Sequence, residues 1–193
     1  MSQMQLLKMA LDPRDVVYTP DWCAADMVSH FKPSGEILEP SCGDGVFLKY
    51  LPSAHWCEIE KGRDFFAWET PVNWMVGNPP YKLIKQWLEH SFKFAENVLY
   101  LIPMNSPFNS MERMRVIHEY GNIRAIRAYG NGSIFGMDYG FAVGAFWFQR
   151  GYRGATKISM YKTHLTKRAL DAANRAAFKG SGSGDGVSSL PRQ

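Results

Sequence analysis

The chain has few of the residues and patterns that mark secreted or metal-binding proteins. It contains three cysteines, Cys23, Cys42 and Cys57, which are widely spaced and form no CxxC motif. Such a set indicates neither a disulfide framework nor a zinc site. The five histidines include no HxH or HxxxH pair. We therefore expect no bound metal.

Long apolar runs and a leader pattern are also lacking. No apolar stretch approaches the roughly 20 residues that a helix needs to span a bilayer. Near the N-terminus, Lys8, Asp12 and Arg14 stand where a signal peptide would have its apolar core. These features predict an intracellular, cytoplasmic protein.

What is present is typical of one globular domain with a basic C-terminal segment. Of the 193 residues, 46% are hydrophobic and 21% are charged, which suits a single core. Residues 150–179 contain eight basic residues and one acidic residue. That concentration favours a polyanionic partner, although a solvated helix face would give the same pattern. We predict one domain over residues 1–179 and a flexible Gly/Ser-rich tail over residues 180–193.

The first patterned segment predicts a helix that begins after Tyr18. Thr19 suits the N-cap and Pro20 the first helical position. The apolar residues then recur at helical spacing until the sequence Lys-Pro-Ser-Gly at 32–35 ends the run.

A glycine-bearing turn follows the first predicted strand. Residues 36–38 are a short apolar strand, 39–45 read Glu-Pro-Ser-Cys-Gly-Asp-Gly, and 46–51 suit a helix. Strand, glycine turn and helix together are typical of nucleoside and phosphate binding in a Rossmann-like sheet. However, Glu39 and Asp44 would repel a pyrophosphate. An acidic loop favours a cofactor with a cationic amino-acid end.

The second predicted strand, residues 55–58, ends in the carboxylate of Glu58. Such folds place the acid that accepts the ribose hydroxyls about 20 residues after the glycines. Only five residues separate Glu58 from Asp64, too few for the parallel crossover to an ordinary third strand. We predict a compact loop over residues 61–68, in which Asp64 meets the edge of a base and Phe65 its face.

The remaining pattern alternates strands and helices. We predict strands at 72–77, 98–102, 123–128, 141–148 and 157–161, and helices at 82–95, 110–120 and 166–178. The loop at 129–140 is rich in glycine and aromatic residues and is predicted to present rings.

Asn78-Pro79-Pro80-Tyr81 stands where the predicted strand at 72–77 ends and a loop begins. Two prolines restrict the backbone and the residue before each of them. The motif therefore predicts a rigid array of acceptors, the Asn78 side chain and the backbone carbonyls, beside an aromatic ring. A planar substrate with an amine would fit such an array. A strand-ending turn is the alternative, because Asn-Pro forms turns in any protein.

Taken together, the motifs at 18–20, 39–45 and 78–81 resemble those of the class I S-adenosylmethionine-dependent methyltransferases. More narrowly, they resemble the adenine-N6 DNA methyltransferases whose cofactor-binding helix motif lies at the N-terminus. The resemblance covers about residues 16–150. It implies an α/β fold with a Rossmann-like, mostly parallel seven-stranded sheet, reduced around the third strand, whose last strand, here 141–148, is antiparallel. It also implies S-adenosylmethionine as the cofactor.

The resemblance implies roles at the matching positions. The implied catalytic residues are Asn78, Pro79, Pro80 and Tyr81. The implied cofactor-binding residues are Tyr18, Thr19, Pro20, Glu39, Pro40, Ser41, Gly43, Gly45, Glu58, Asp64, Phe65 and Asn78. Asn78 and the Pro79 carbonyl would accept the two N–H bonds of the adenine amine. Tyr81 would stack on the base, and Phe135 or Tyr139 would form a second wall.

DNA is the expected partner. The residues expected to contact it are Phe135, Tyr139, Arg150, Arg153, Lys157, Lys162, Lys167 and Arg168. No separate recognition domain is evident, so we expect salt-sensitive binding with a short or relaxed sequence preference. A small enzyme of this kind suits a phage or another mobile element.

Three other functions stay open at the level of sequence. Adenine in RNA offers the same amine. Asn-Pro-Pro-Tyr also occurs in enzymes that methylate the side-chain amide of glutamine, but those usually have an aspartate where this chain has Glu39. A non-catalytic nucleic-acid binder would keep the fold and lose the chemistry.

Overall fold

A computed structural model of the protein describes residues 18–135 and 141–161, except the side chains of residues 133 and 134. The chain divides into two units, residues 1–162 and 163–193. The architecture below is that of the first unit.

The described residues form three α-helices and seven β-strands. The helices are α1 Asp21–Phe31, α2 Ile84–Phe94 and α3 Met111–Tyr120. The strands are β1 Ile37–Glu39, β2 His55–Trp56, β3 Val72–Gly77, β4 Ala95–Pro103, β5 Gly121–Asn131, β6 Ala142–Arg150 and β7 Lys157–Met160. Single turns of 3₁₀ helix lie at Phe47–Lys49, Ile59–Lys61, Phe65–Ala67, Tyr81–Leu83 and Gly132–Phe135.

All seven strands belong to one sheet, in the order β2-β1-β3-β4-β6-β5-β7. β6 pairs antiparallel with β4 and with β5, and the other neighbouring pairs are parallel. The antiparallel strand is the one predicted at 141–148. The α/β, Rossmann-like, mostly parallel fold predicted from the sequence is therefore confirmed.

The central strands are buried on both faces of the sheet. In β4, the five residues from Val98 to Ile102 are fully buried, and in β3 Met75 and Val76 are too. Parallel strands covered on both sides read as continuous apolar runs, which is how these segments appear in the sequence. Their side chains alternate between two cores, one against α2 and α3 and the other against α1.

The start of α1 differs from the prediction. The N-cap is Pro20 rather than Thr19, and the helix begins at Asp21 without a side-chain cap. The Pro20 carbonyl instead accepts the first backbone N–H groups, from Cys23 and Ala24. The predicted end holds, because Lys32 has a left-handed φ of 52° at the C-cap.

The predicted helix at 46–51 is also shorter than expected, since only Phe47–Lys49 forms a 3₁₀ turn. Leu51 then turns into the core, and β2 begins at His55. In α3 the predicted cap is confirmed, because the Ser110 hydroxyl accepts a hydrogen bond from the Arg113 N–H.

The reduction around the third strand is confirmed as well. Residues 57–71 form two 3₁₀ turns and one isolated bridge between Glu58 and Arg63, with no sheet strand. The seventh strand of the sheet is β7, which lies at the edge opposite to β2 and pairs in parallel with β5. β2 is thus left as an edge strand of the sheet.

Candidate active site

The motif residues meet at the carboxyl ends of β1, β2 and β3. β1 lies between β2 and β3 in the sheet, so the loops that leave these strands are neighbours. Ligands of open α/β sheets bind at this edge, outside the carboxyl ends of the strands. The close approach is visible at Gly77, where an added Cβ would lie 3.3 Å from Pro40 Cδ.

The glycine loop after β1 needs its glycines. Gly43 and Gly45 have φ angles of 49° and 78°, which side chains other than glycine adopt at a cost. The Gly45 N–H donates to the Cys42 carbonyl at 2.7 Å and closes the turn. Beside Gly43 the nearest atom to an added Cβ is Cε1 of Tyr18, at 4.0 Å. The exposed Tyr18 ring therefore lies over this loop, which brings the first two motifs together.

Glu39, the last residue of β1, has a buried carboxyl group with one oxygen atom left unpartnered in the described residues. Only 1% of it is exposed, and its Oε2 atom has no hydrogen-bond partner in the described part of the chain. Burial raises the pKa of Glu39 to about 8, the nearby Glu58 carboxylate adds to the rise, and Lys61 opposes it. A buried carboxyl group with an open acceptor atom is suited to receive a cationic group.

Glu58 reaches back to the glycine loop. Its Oε2 accepts a hydrogen bond from the Gly43 N–H at 2.7 Å, and its Oε1 lies 3.4 Å from the Glu60 N–H. The same carboxylate thus caps the 3₁₀ turn Ile59–Lys61 and holds the glycine loop in place. A carboxylate has about four acceptor positions, so two remain for hydroxyl groups of a ligand.

The Asn-Pro-Pro-Tyr segment is joined to the glycine loop directly. The Ser41 hydroxyl donates to the Asn78 carbonyl oxygen at 3.2 Å. Pro79 is buried, and Pro80 is the N-cap of the turn Tyr81–Leu83. The ring of Tyr81 is partly buried against the core while its hydroxyl is fully buried. Burial holds the pKa of Tyr81 well above its usual value, and the Cys23 thiol adds to this while a hydrogen bond with Asn78 opposes it. The phenol therefore stays neutral.

The structure corrects the predicted role of Phe65. Its ring is fully buried and packs 5.1 Å from the Trp87 ring and 4.8 Å from His90. It therefore has no face to offer to a cofactor adenine. Asp64 accepts a hydrogen bond from the Phe66 N–H and caps the next turn. The short connection after Glu58 thus brings the Phe65 ring into the core against α2.

The predicted second wall at Phe135 is corrected in the same way. The side chain is 7% exposed and packs 5.7 Å from Trp22 and 6.3 Å from Tyr129. It closes the core beside α1. Tyr139 lies outside the described residues.

Two of the predicted nucleic-acid contacts have partners within the chain. Arg150 donates to the carbonyls of Phe92 and Ala95 at 2.6 and 2.8 Å. Arg153 donates to the carbonyls of His118 and Gly121. Both guanidinium groups therefore bind backbone carbonyls near the ends of α2 and α3, and both residues keep exposed surface. Lys157 is exposed on β7. Three further predicted contacts, Lys162, Lys167 and Arg168, lie outside the described residues.

Sequence reasoning overlooked Lys61. Its ammonium group donates to the Gly43 carbonyl at 2.8 Å and lies 3.9 Å from Cys42 Sγ. The signal in the sequence was its position only three residues after Glu58, on the same short connection.

Among the described residues, no group of three or more histidine, cysteine, aspartate or glutamate residues could hold a metal ion. None of the helices in that part of the chain is both long and apolar enough to cross a membrane.

The sheet order and the position of the loops define the fold as that of the class I S-adenosylmethionine-dependent methyltransferases. Solved structures with this fold include a Listeria monocytogenes protein assigned to that class. It has a TM-score of 0.59 and 14% identity, over 89% of this chain and 76% of the other. No family profile matches the sequence, and a search of curated proteins found no significant relative.

Other structures of this fold are restriction-modification proteins. The modification subunit assigned to a type I restriction enzyme of Vibrio vulnificus YJ016 has a TM-score of 0.58 and 14% identity, over 91% of this chain and 55% of the subunit. The type I methyltransferase subunit of Streptococcus thermophilus has a TM-score of 0.57 and 13% identity, over 84% and 53%. The chain thus spans about half the length of these two subunits. At such identities the likeness establishes the fold.

Proposed function

We propose that this protein transfers a methyl group from S-adenosylmethionine to the N6 amine of adenine in DNA. The observation that carries the proposal is the hydrogen bond from Ser41 to the Asn78 carbonyl. It joins the loop suited to a methyl donor to the loop suited to an amine acceptor. The two loops thus form one cleft for two substrates.

The residues of the donor side fit the cofactor. Glu39 offers a buried acceptor to the ammonium group of the methionine part, and Glu58 has acceptor positions left for ribose hydroxyls. Gly43 and Gly45 let the backbone approach the ligand, with Tyr18 above. When bound, S-adenosylmethionine supplies an electrophilic methyl group on a sulfonium.

On the acceptor side, the chain needs to orient a weak nucleophile. The lone pair of an adenine amine is delocalised into the ring. The Asn78 side chain and the Pro79 carbonyl accept its two N–H bonds and draw the nitrogen towards tetrahedral geometry. Rigid acceptors supply this effect without a strong base, because alignment and preorganised dipoles lower the barrier. Tyr81 stacks on the base, and a stacked ring offsets part of the few kcal/mol that flipping costs.

DNA is favoured as the substrate for two reasons. The basic C-terminal segment suits a polyanion, and two of the similar structures belong to restriction-modification systems. We propose that residues 1–179 act as one methyltransferase domain. We further propose a short or relaxed sequence preference, since phosphate contacts position a protein without reading bases.

A methyl-transfer assay tests the function. Labelled S-adenosylmethionine is offered with duplex DNA, single-stranded DNA, RNA and total protein, and N6-methyladenine is identified in the product. We expect label in adenine of DNA. Label only in RNA or in glutamine would replace the substrate, and no label in any arm would refute methyl transfer.

Asn78→Ala tests the assigned chemistry. We expect loss of transfer by a factor of roughly a hundred or more, because the aligned acceptor is lost. Cofactor affinity measured by calorimetry should fall far less than activity, because Glu39, Glu58 and the glycine loop remain to hold the cofactor. Unchanged activity of the variant would refute the role of Asn78.

A further inference from the structure

The connection between β2 and β3 places two charged side chains on one side of a helical turn. Glu58 is the N-cap of the turn Ile59–Lys61, and Lys61 is its last residue. Glu58 has an extended backbone, with φ −158° and ψ 117°, and stands directly before the turn. Both side chains reach the same neighbour, the glycine loop.

The two side chains hold the two peptide groups that flank the Cα atom of Gly43. Glu58 Oε2 accepts from the Gly43 N–H at 2.7 Å. Lys61 Nζ donates to the Gly43 carbonyl oxygen at 2.8 Å. A carboxylate therefore fixes one peptide plane and an ammonium group fixes the next. Hydrogen bonds to charged groups are stronger than those between neutral ones.

The turn that bears the two side chains is itself anchored to β2. The Arg63 N–H donates to the Glu58 carbonyl at 3.0 Å, which closes the turn. The Arg63 guanidinium lies 4.0 Å from the centroid of the Trp56 ring, and Lys61 Nζ lies 5.6 Å from it. The turn that carries Glu58 and Lys61 is thus held against β2.

Holding both peptide groups of Gly43 matters because glycine is the most flexible residue in the unbound loop. Gly43 has a φ of 49°, and a glycine loses more conformational freedom on ordering than any other residue. A loop that is already held in its ligand-binding conformation loses less freedom when the ligand arrives. Lys61 also opposes the rise in the pKa of Glu39, so its charge is felt deeper in the site.

We propose that Lys61 is a positioning residue for the cofactor, which together with Glu58 clamps the Gly43 peptide in its ligand-receiving conformation. The inference rests on the proposed function for the identity of the ligand, but the effect on the loop is independent of it. It also gives the shortened β2–β3 connection a function, since the turn that replaces a strand and a helix supplies the clamp.

Two substitutions at Lys61 test the clamp against a matched control. Lys61→Met removes the ammonium group and keeps an aliphatic stem, whereas Lys61→Arg restores a cationic donor. Lys93→Met makes the same change at an exposed position of α2. The readouts are amide hydrogen exchange of residues 42–45, the calorimetric Kd for S-adenosylmethionine, and thermal melting.

For Lys61→Met we expect faster amide exchange confined to residues 42–45. We also expect a Kd for S-adenosylmethionine about tenfold higher, because one charge-assisted hydrogen bond is lost. The melting temperature should match that of Lys93→Met, and Lys61→Arg should restore the affinity to within about threefold of wild type. Exchange and affinity equal to those of Lys93→Met would overturn the clamp. If wild-type protein bound no cofactor, the proposed function would fail, and the exchange comparison alone would decide the clamp.

Discussion

Glu39 sits in surroundings that favour its neutral form. It is almost fully buried, Oε2 has no partner in the described residues, and the Glu58 carboxylate lies nearby. Burial and a like charge both disfavour the ionised carboxylate. Its ionisation is therefore coupled to both folding and the arrival of a positive ligand.

This coupling predicts a pH dependence of stability. The pKa of Glu39 rises from 4.5 to about 8 on folding, so the folded state holds the extra proton between these values. Its contribution to the free energy of unfolding is then full below about pH 4.5 and is lost as the pH rises towards 8, at up to about 1.4 kcal/mol per pH unit. Urea unfolding of wild type and Glu39→Gln across this range measures the effect. The difference between them should change with pH, and two parallel stability curves would contradict the assignment.

At the scale of elements, the connection between β2 and β3 is organised by two acids. Glu58 and Asp64 each accept a hydrogen bond from the N–H group two residues ahead and thereby cap successive 3₁₀ turns. The compact connection leaves β2 at the edge of the sheet. It also delivers the Phe65 ring to the core and the Lys61 side chain to the glycine loop.

The glycine loop gives a prediction with a built-in control. Gly43 and Gly151 both have positive φ angles, 49° and 68°, and neither has an atom closer than 4.0 Å to an added Cβ. Alanine at either position should cost about 1–2 kcal/mol of stability, because the left-handed conformation is strained for it. Only Gly43→Ala should also weaken cofactor binding, since its Cβ enters the space under Tyr18. Thermal melting and calorimetry separate the two effects, and equal cofactor affinities would place the ligand elsewhere.

At the scale of the whole molecule, the basic residues serve two different purposes. Arg150 ties β6 to the junction of α2 and β4 through the carbonyls of Phe92 and Ala95. Its side chain also pairs with Glu96 and lies 5.0 Å from the Tyr120 ring centroid. Lys157, in contrast, is exposed on the edge strand β7.

Arg150→Met and Lys157→Met should therefore have opposite effects. The first should lower the free energy of unfolding by about 1–3 kcal/mol, because buried carbonyls lose a charged donor. The second should leave stability unchanged and reduce the slope of log affinity for DNA against log salt by about one. Denaturant unfolding and DNA binding at several salt concentrations test both. A loss of stability in Lys157→Met, or an altered salt slope in Arg150→Met, would reverse these assignments.

The sequence by itself determined the fold class and the positions of the three motifs. Continuous apolar runs such as that in β4 specify strands buried on both faces, and glycines and prolines mark the loops between them. The five-residue gap after Glu58 was enough to predict the missing third strand, because a parallel crossover has a minimum length. These are local properties, which a single segment contains in full.

Only the tertiary structure decided which side chains face the cleft. Phe65 and Phe135 lie in motifs and loops suited to ligand contact, yet both rings are buried against other elements. Arg150 belongs to the basic segment predicted to contact DNA, yet its guanidinium binds the carbonyls of Phe92 and Ala95 at the end of α2. Lys61 had no motif at all. The direction of a side chain depends on what packs around it, and those neighbours are distant in sequence.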